Sequence, residues 1–199
     1  MGNYSELYFT NSSIPVTGKE LEESAPYLTA KYRLPLFWLA MFDSSDIVDG
    51  PITGGDSWPY LVKHKDQALR LLGTRNQWLQ ENFPMLNPVW LEQFKNFIIK
   101  TPYPFVHLNT EDIGCVISTS SEWRIQLEAM LGIFFENRAP PPTFFERLLK
   151  RSKTNDSWST FNRIFGSAHE GQESKEPWTY CGASATEQLA PWESEFAKK

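Results

Sequence analysis

Seven consecutive apolar residues, Leu36-Phe37-Trp38-Leu39-Ala40-Met41-Phe42, lie between Pro35 and Asp43, and no polar face can be drawn through them. A helix that is apolar on every side has to be buried, so any fold of this chain must wrap a core around that segment. Pro35 suits the first turn of such a helix. The run is the longest of its kind and falls well short of the roughly 20 residues that span a bilayer. A chain of 199 residues buries roughly 70% of its unfolded surface and supports such a core without staples.

Aromatic residues dominate what fills that core: eight Trp, fourteen Phe and seven Tyr stand beside only three His and two Cys. So few nucleophile and base candidates favour packing and recognition over catalysis. Cys115 and Cys181, far apart in a chain with no export signal, are expected to be free thiols. No basic segment followed by an apolar one opens the chain, and Glu6 stands where a myristoylation signal has Ser or Thr. Cytoplasm is therefore the expected location, with no membrane partner.

Local chemistry marks the elements. Tyr4 to Thr10 reads as a strand ending at the turn-prone Asn11-Ser12-Ser13. Ala25 to Ala30 suits a helix, Asp43 to Asp56 reads as a loop, and Leu61, Val62, Leu69 and Leu72 follow helical spacing from Trp58 onward. A second amphipathic piece runs from Trp78 to Phe83. Asn87-Pro88 opens a helix with Trp90, Leu91, Phe94, Phe97 and Ile98 on one stripe, and Phe105 to Leu108 is a short strand. Thr119-x-x-Glu122 is a capping box ahead of Trp123, Leu127, Met130, Leu131 and Phe134. Thr143-x-x-Glu146 repeats the box, Asp156 can cap Ser157 to Phe165, and Trp178 to Cys181 reads as the last strand. Strands and helices do not alternate, so a doubly wound sheet is not expected. The expectation is one mainly helical α+β domain over residues 1–199. It has five to six helices, a small sheet of two to three short strands, a hinge at 139–142 and a mobile loop at 167–176.

The strong catalytic motifs are absent: there is no phosphate-binding Gly-rich loop, no Gly-x-Ser-x-Gly and no His-Glu-x-x-His. His169-Glu170 sits among glycines that oppose a metal-binding helix, and the acids between Asp43 and Asp56 lack calcium-loop spacing. No metal and no cofactor is expected. Cys115 and His107 could form a thiol–imidazole pair of a small hydrolase, if the fold brought them together. A pI near 5.3 opposes nucleic-acid binding, and the basic groups Arg147, Lys150, Arg151 and Lys153 fit the wet end of a helix. Residues 1–57, by contrast, hold eight acids against Lys19, Lys31 and Arg33. Glu20, Glu22, Glu23, Asp43, Asp46 and Asp49, with Trp58 and Tyr60 beside them, are the candidate partner-binding residues.

Asn3-x-Ser5-x-Leu7-Tyr8, followed by Tyr32-x-Leu34-Pro35-Leu36-x-Trp38, resembles the opening of a group of small uncharacterised bacterial proteins encoded beside secreted or contact-delivered toxins. The likeness covers residues 1–42. It implies an immunity protein, a cytoplasmic binder that occludes a cognate toxin, and it carries no catalytic residues with it. A secretion-system adaptor or chaperone is the other non-enzymatic expectation.

Overall fold

The computed structural model describes residues 4–16, 26–51, 57–83, 86–134, 178–184 and 191–192. Its centre is an antiparallel sheet with strand order β3-β4-β5-β1-β2-β6. The five full strands are β1 (Tyr4–Thr10), β2 (Tyr27–Lys31), β3 (Ile47–Pro51), β4 (Ser57–His64) and β5 (Phe105–Asn109), and the two-residue β6 (Ala183–Ser184) extends the β2 edge. The helices are α1 (Leu36–Leu39), α2 (Lys65–Thr74), α3 (Asn76–Asn82), α4 (Pro88–Lys100), α5 (Glu111–Ile117), α6 (Ser120–Gly132) and α7 (Trp178–Cys181).

This overturns the expectation of a mainly helical domain with a sheet of two to three strands. The missing strands were hidden for identifiable reasons. In β4, Trp58, Pro59, Tyr60 and Leu61 are all buried, so the strand lacks the apolar–polar alternation that marks a half-exposed one. Its interior Pro59 also argues against a strand, yet it lies opposite Asp49 of β3, short of the β5 ladder, which starts at Leu61. The region read as a loop contains β3, after a 3-10 turn at Ser44–Asp46. Ala25 to Ala30, read as helical, overlaps β2, a strand because pairing with β1 places Leu28 and Ala30 inward. Trp178–Cys181 is a helical turn instead of a strand.

The locally encoded helices form as expected. Asn87 Oδ1 accepts from the Val89 amide to start α4. Both halves of the Thr119/Glu122 box are made at α6, where the Glu122 carboxylate accepts from the Thr119 amide at 2.9 Å. The hinge at 139–142, the loop at 167–176, the Thr143 and Asp156 caps and the basic group at 147–153 lie outside the described residues.

Register divides the sheet into two faces. One carries Leu7, Phe9, Leu28, Ala30, Leu61, Val106 and Leu108, all buried, against which α4 packs through a Phe9–Phe97 edge contact. The α1 run lies under this layer with Leu36 to Phe42 wholly inaccessible, Phe37 against Phe94, and the Trp38 indole donating to the Cys181 carbonyl at 2.8 Å. Arg75 closes the end of the run. Its guanidinium donates to the carbonyls of Leu39, Ala40 and Phe42 at 3.4, 3.0 and 2.6 Å and stacks on Phe134. These lie among the C-terminal carbonyls that a short helix leaves short of intrahelical partners, though the Leu39 carbonyl also accepts from the Phe42 amide at 3.1 Å. The opposite face carries Glu6, Tyr8, Tyr60, His107 and Asn109, and the segment 11–16 folds back across part of it.

Candidate functional site

The β3–β4 hairpin folds as it does because Asp43 and Asp46 pair inward. Asp43 caps the 3-10 turn by accepting from the Ser45 amide, and Asp46 reaches back to accept from the Asp43 amide at 2.7 Å. Lys63, nearly buried on β4, then meets both carboxylates at 2.8 and 2.5 Å. Burial pushes Asp43 up, but the Lys63 and Ser45 hydrogen bonds outweigh it and hold the carboxyl below its usual range. Asp46 is buried more deeply, and that burial raises it. Two of the acids expected to face a partner are therefore turned inward and share one lysine of the next strand. Asp49 remains outward, at 60% side-chain exposure, and pairs with Arg124 of α6 at 2.7 Å.

Both residues of that ion pair line an open cleft of about 760 Å³ between the hairpin and the start of α6. Asp49, Ser57 and Trp58 form one wall. Thr119, Ser120, Ser121, Arg124 and Ile125 form the other. Ser120 Oγ donates to the Ser57 carbonyl at 3.1 Å and ties the two walls together. Trp58 is 5% exposed and supports the wall from within, where its ring sits against Gly114 of α5; a Cβ there would lie 2.6 Å from the indole. Tyr60 is equally buried and does not present its ring to solvent. Asp49 and Trp58 are the sequence-derived candidates that the cleft brings together. Glu20, Glu22 and Glu23 fall outside the described residues. Sequence reasoning missed Ser57, the hydroxyls of 119–121, Arg124 and Ile125. The signal for Ile125 was present, since it is apolar yet lies off the Trp123/Leu127/Met130 stripe, and it is 63% exposed.

Behind Trp58 lies a polar layer. Tyr60 Oη sits 3.4 Å from Glu111 Oε2 and 3.3 Å from the Pro51 carbonyl, and Asn109 Nδ2 donates to Glu6 at 3.3 Å. Burial, then the neighbouring charges of Asp112 and Glu111, raises Glu6; burial and Asp112 raise Glu111. Burial, then Glu111, Glu6 and Asp112, pushes Tyr60 far above the ordinary phenol range, and burial, then Tyr60 and Glu6, does the same to Tyr8.

Cys115 and His107 do not share an environment. His107 is inaccessible, stacks on Tyr8 at 5.1 Å between centroids, and places Nε2 2.8 Å from the Ser12 carbonyl. Burial lowers it to about 4, so the ring is neutral at pH 7. Cys115 is an exposed free thiol on α5, raised by partial burial and by Asp112 and Glu111. Thiolate chemistry needs the opposite shift. Cys181 is a buried free thiol. Among the described residues no group of three His, Cys, Asp or Glu side chains is placed to hold a metal ion, and no helix is long and apolar enough to cross a membrane. Compared with family models, curated proteins and solved structures, the chain matches none of them.

Proposed function

We propose that this chain is a non-enzymatic binding protein of the cytoplasm, and that it neutralises a cognate protein toxin by binding and occluding it. The observation that carries the binding reading is the cleft between the β3–β4 hairpin and α6. It is open, flanked by an exposed apolar residue, Ile125, and furnished with hydroxyls and a solvent-facing Asp49–Arg124 pair. Such a mixture of apolar contact and satisfied polar groups is the composition of a protein-recognition surface. The toxin reading adds the likeness of residues 1–42 to small uncharacterised bacterial proteins encoded beside toxins, which implies an immunity role. Of the residues that carry that likeness, Ser5, Leu7, Tyr8, Leu34, Pro35, Leu36 and Trp38 are buried and support a shared scaffold, Tyr32 is 52% exposed, and Asn3 lies outside the described residues. The raised Cys115 thiol and the neutral, buried His107 weigh against the thiol-hydrolase alternative.

The test is co-expression with the protein encoded by the adjoining gene. Rescue of growth by the intact chain, with a stable complex recovered by size exclusion in the absence of metal or nucleotide, is the expected result. No rescue and no complex would remove the toxin reading. Recovery of secretion-apparatus components in its place would transfer the chain to the adaptor class.

A further inference from the structure

The segment 11–16 covers the sheet face at Tyr8 and His107 without burying a side chain of its own, and Ile14 is 68% exposed. The chain turns back at Thr10, whose Oγ1 accepts from the Ser12 amide at 2.8 Å. The Ser12 carbonyl then lies 2.8 Å from His107 Nε2, and the Val16 carbonyl accepts from the Tyr8 hydroxyl at 3.3 Å. Pro15 lies over Gly50, where a Cβ would stand 2.6 Å from the Pro15 Cβ. A segment anchored by polar contacts and little apolar area opens at a lower free energy than the core beneath it.

The attachment at His107 depends on a proton. Nε2 faces a carbonyl, so the neutral ring carries its hydrogen there and Nδ1 is a bare lone pair. Nδ1 is enclosed and has no hydrogen-bond partner. A second proton would place an N–H and a full charge on that enclosed atom with nothing to accept it. The Ser12 carbonyl favours the charged ring, but burial opposes it and prevails. No neighbouring element compensates. Tyr8 of β1 stacks on the ring, Val62 stands opposite on β4 with Tyr60 and His64 two residues to either side, and Asn11 to Val16 contain no titratable side chain. Glu6 of β1 accepts from Asn109, and His107 is in no ion pair among the described residues. Water at the ring removes the penalty, and the cover that can be lifted without opening the core is the segment 11–16.

We propose that residues 11–16 are an acid-released strap, which closes over Tyr8 and His107 while the imidazole is neutral and lifts when Nδ1 takes up a proton. Release exposes the stacked Tyr8 and His107 rings and leaves the strands paired. The strap and its anchors share no residue with the cleft, so the device stands apart from the toxin reading.

The experiment is amide hydrogen exchange of the full-length isotope-labelled protein at pH 7.5 and pH 5, expressed as protection factors so that the intrinsic pH dependence of exchange cancels. At pH 5 an uncovered imidazole is almost wholly charged and the covered one almost wholly neutral, so the open fraction should rise by up to about thirtyfold. The Ser12 and Ile14 amides, which donate to Thr10 Oγ1 and Ser12 Oγ, should lose protection by that factor. Low urea separates lifting from unfolding, because so short a segment exposes little surface: the strap amides should exchange faster than those of Leu7, Phe9, Val106 and Leu108 and ignore the urea. His107→Gln keeps a donor for the Ser12 carbonyl and cannot be charged, so its strap should be equally protected at both pH values. If that variant does not fold, the ratio in the intact protein decides. Glu6→Gln and His64→Gln should preserve the ratio, and its loss in either would assign the proton elsewhere and overturn the strap. A change under about twofold, the same change in His107→Gln, or strap protection that matches the ladder and falls with urea would also overturn it.

Discussion

Alternate residues of the same strands build two layers of different chemistry. On the α4 side Leu7, Phe9, Val106 and Leu108 meet other apolar side chains, and the α1 run completes a dry core. On the other side Asn109 donates to Glu6, Tyr60 reaches Glu111 and the Pro51 carbonyl, and Tyr8 stacks on His107, whose Nε2 lies 2.8 Å from the Ser12 carbonyl. The dry layer is held by area and volume, and it fails when a shape changes. The polar layer is held by a few partners in a low dielectric, so its stability varies with pH and with single atoms.

The dry layer should give the largest effect. Gly182 adopts φ +72°, and a Cβ there would stand 2.1 Å from the Trp38 ring. Gly182→Ala and Trp38→Ala are each expected to cost about 3–5 kcal/mol in urea unfolding, through overpacking plus backbone strain in one case and a cavity in the other. A loss under about 1 kcal/mol would mean that α1 is not the centre of the core.

Next comes the ion-paired hairpin. Lys63→Ala strands two partly buried carboxylates and should cost about 3 kcal/mol at pH 7. Adding Asp43→Asn and Asp46→Asn to Lys63→Met should recover most of that loss, because the strain is the uncompensated charge. If the triple variant is no better than Lys63→Ala, the triad contributes by packing instead.

The polar layer is distinguished by pH. His107 stays neutral in the folded protein down to about 4, while in the unfolded chain it protonates near the ordinary imidazole value of 6.5. The unfolded state thus binds more protons between those values. The stability this ring contributes is full above pH 6.5 and falls as pH drops toward 4, by up to about 3 kcal/mol. Glu6, Glu111 and Asp46, whose folded values are raised, oppose it, since the native state takes their protons first as pH falls. Comparing the intact protein with His107→Phe cancels the carboxylates: the gap in unfolding free energy should narrow from pH 7.5 to pH 5, and a constant gap would contradict the buried neutral ring. Tyr60→Phe should give the smallest change, about 1 kcal/mol or less, because both contacts of its hydroxyl are long. It should also raise the Glu111 pKa followed by carboxyl resonances, since the Tyr60 hydrogen bond lowers it.

What was legible in the sequence follows range of interaction. The burial of Leu36 to Phe42, the caps at Asn87 and Thr119, the α4 and α6 stripes and the β1 strand depend on residues within a few positions of each other. The candidate site was half legible. Asp49 and Trp58 reach the cleft, but Asp43 and Asp46 turn to Lys63, a partner 17–20 residues away that no local pattern announces.

The sequence by itself determined that the chain has a large aromatic core around a fully apolar segment, where its capped helices begin, and that its thiols are free. Only the tertiary structure decided the size of the sheet, the fate of each acid and the position of the cleft. Cross-strand pairs such as Leu7 with Leu108 join residues about a hundred positions apart. A strand covered on both faces, like β4, loses the alternation that would have revealed it. A carboxylate's role depends on whether a distant cation reaches it, and that is settled by how the strands pair.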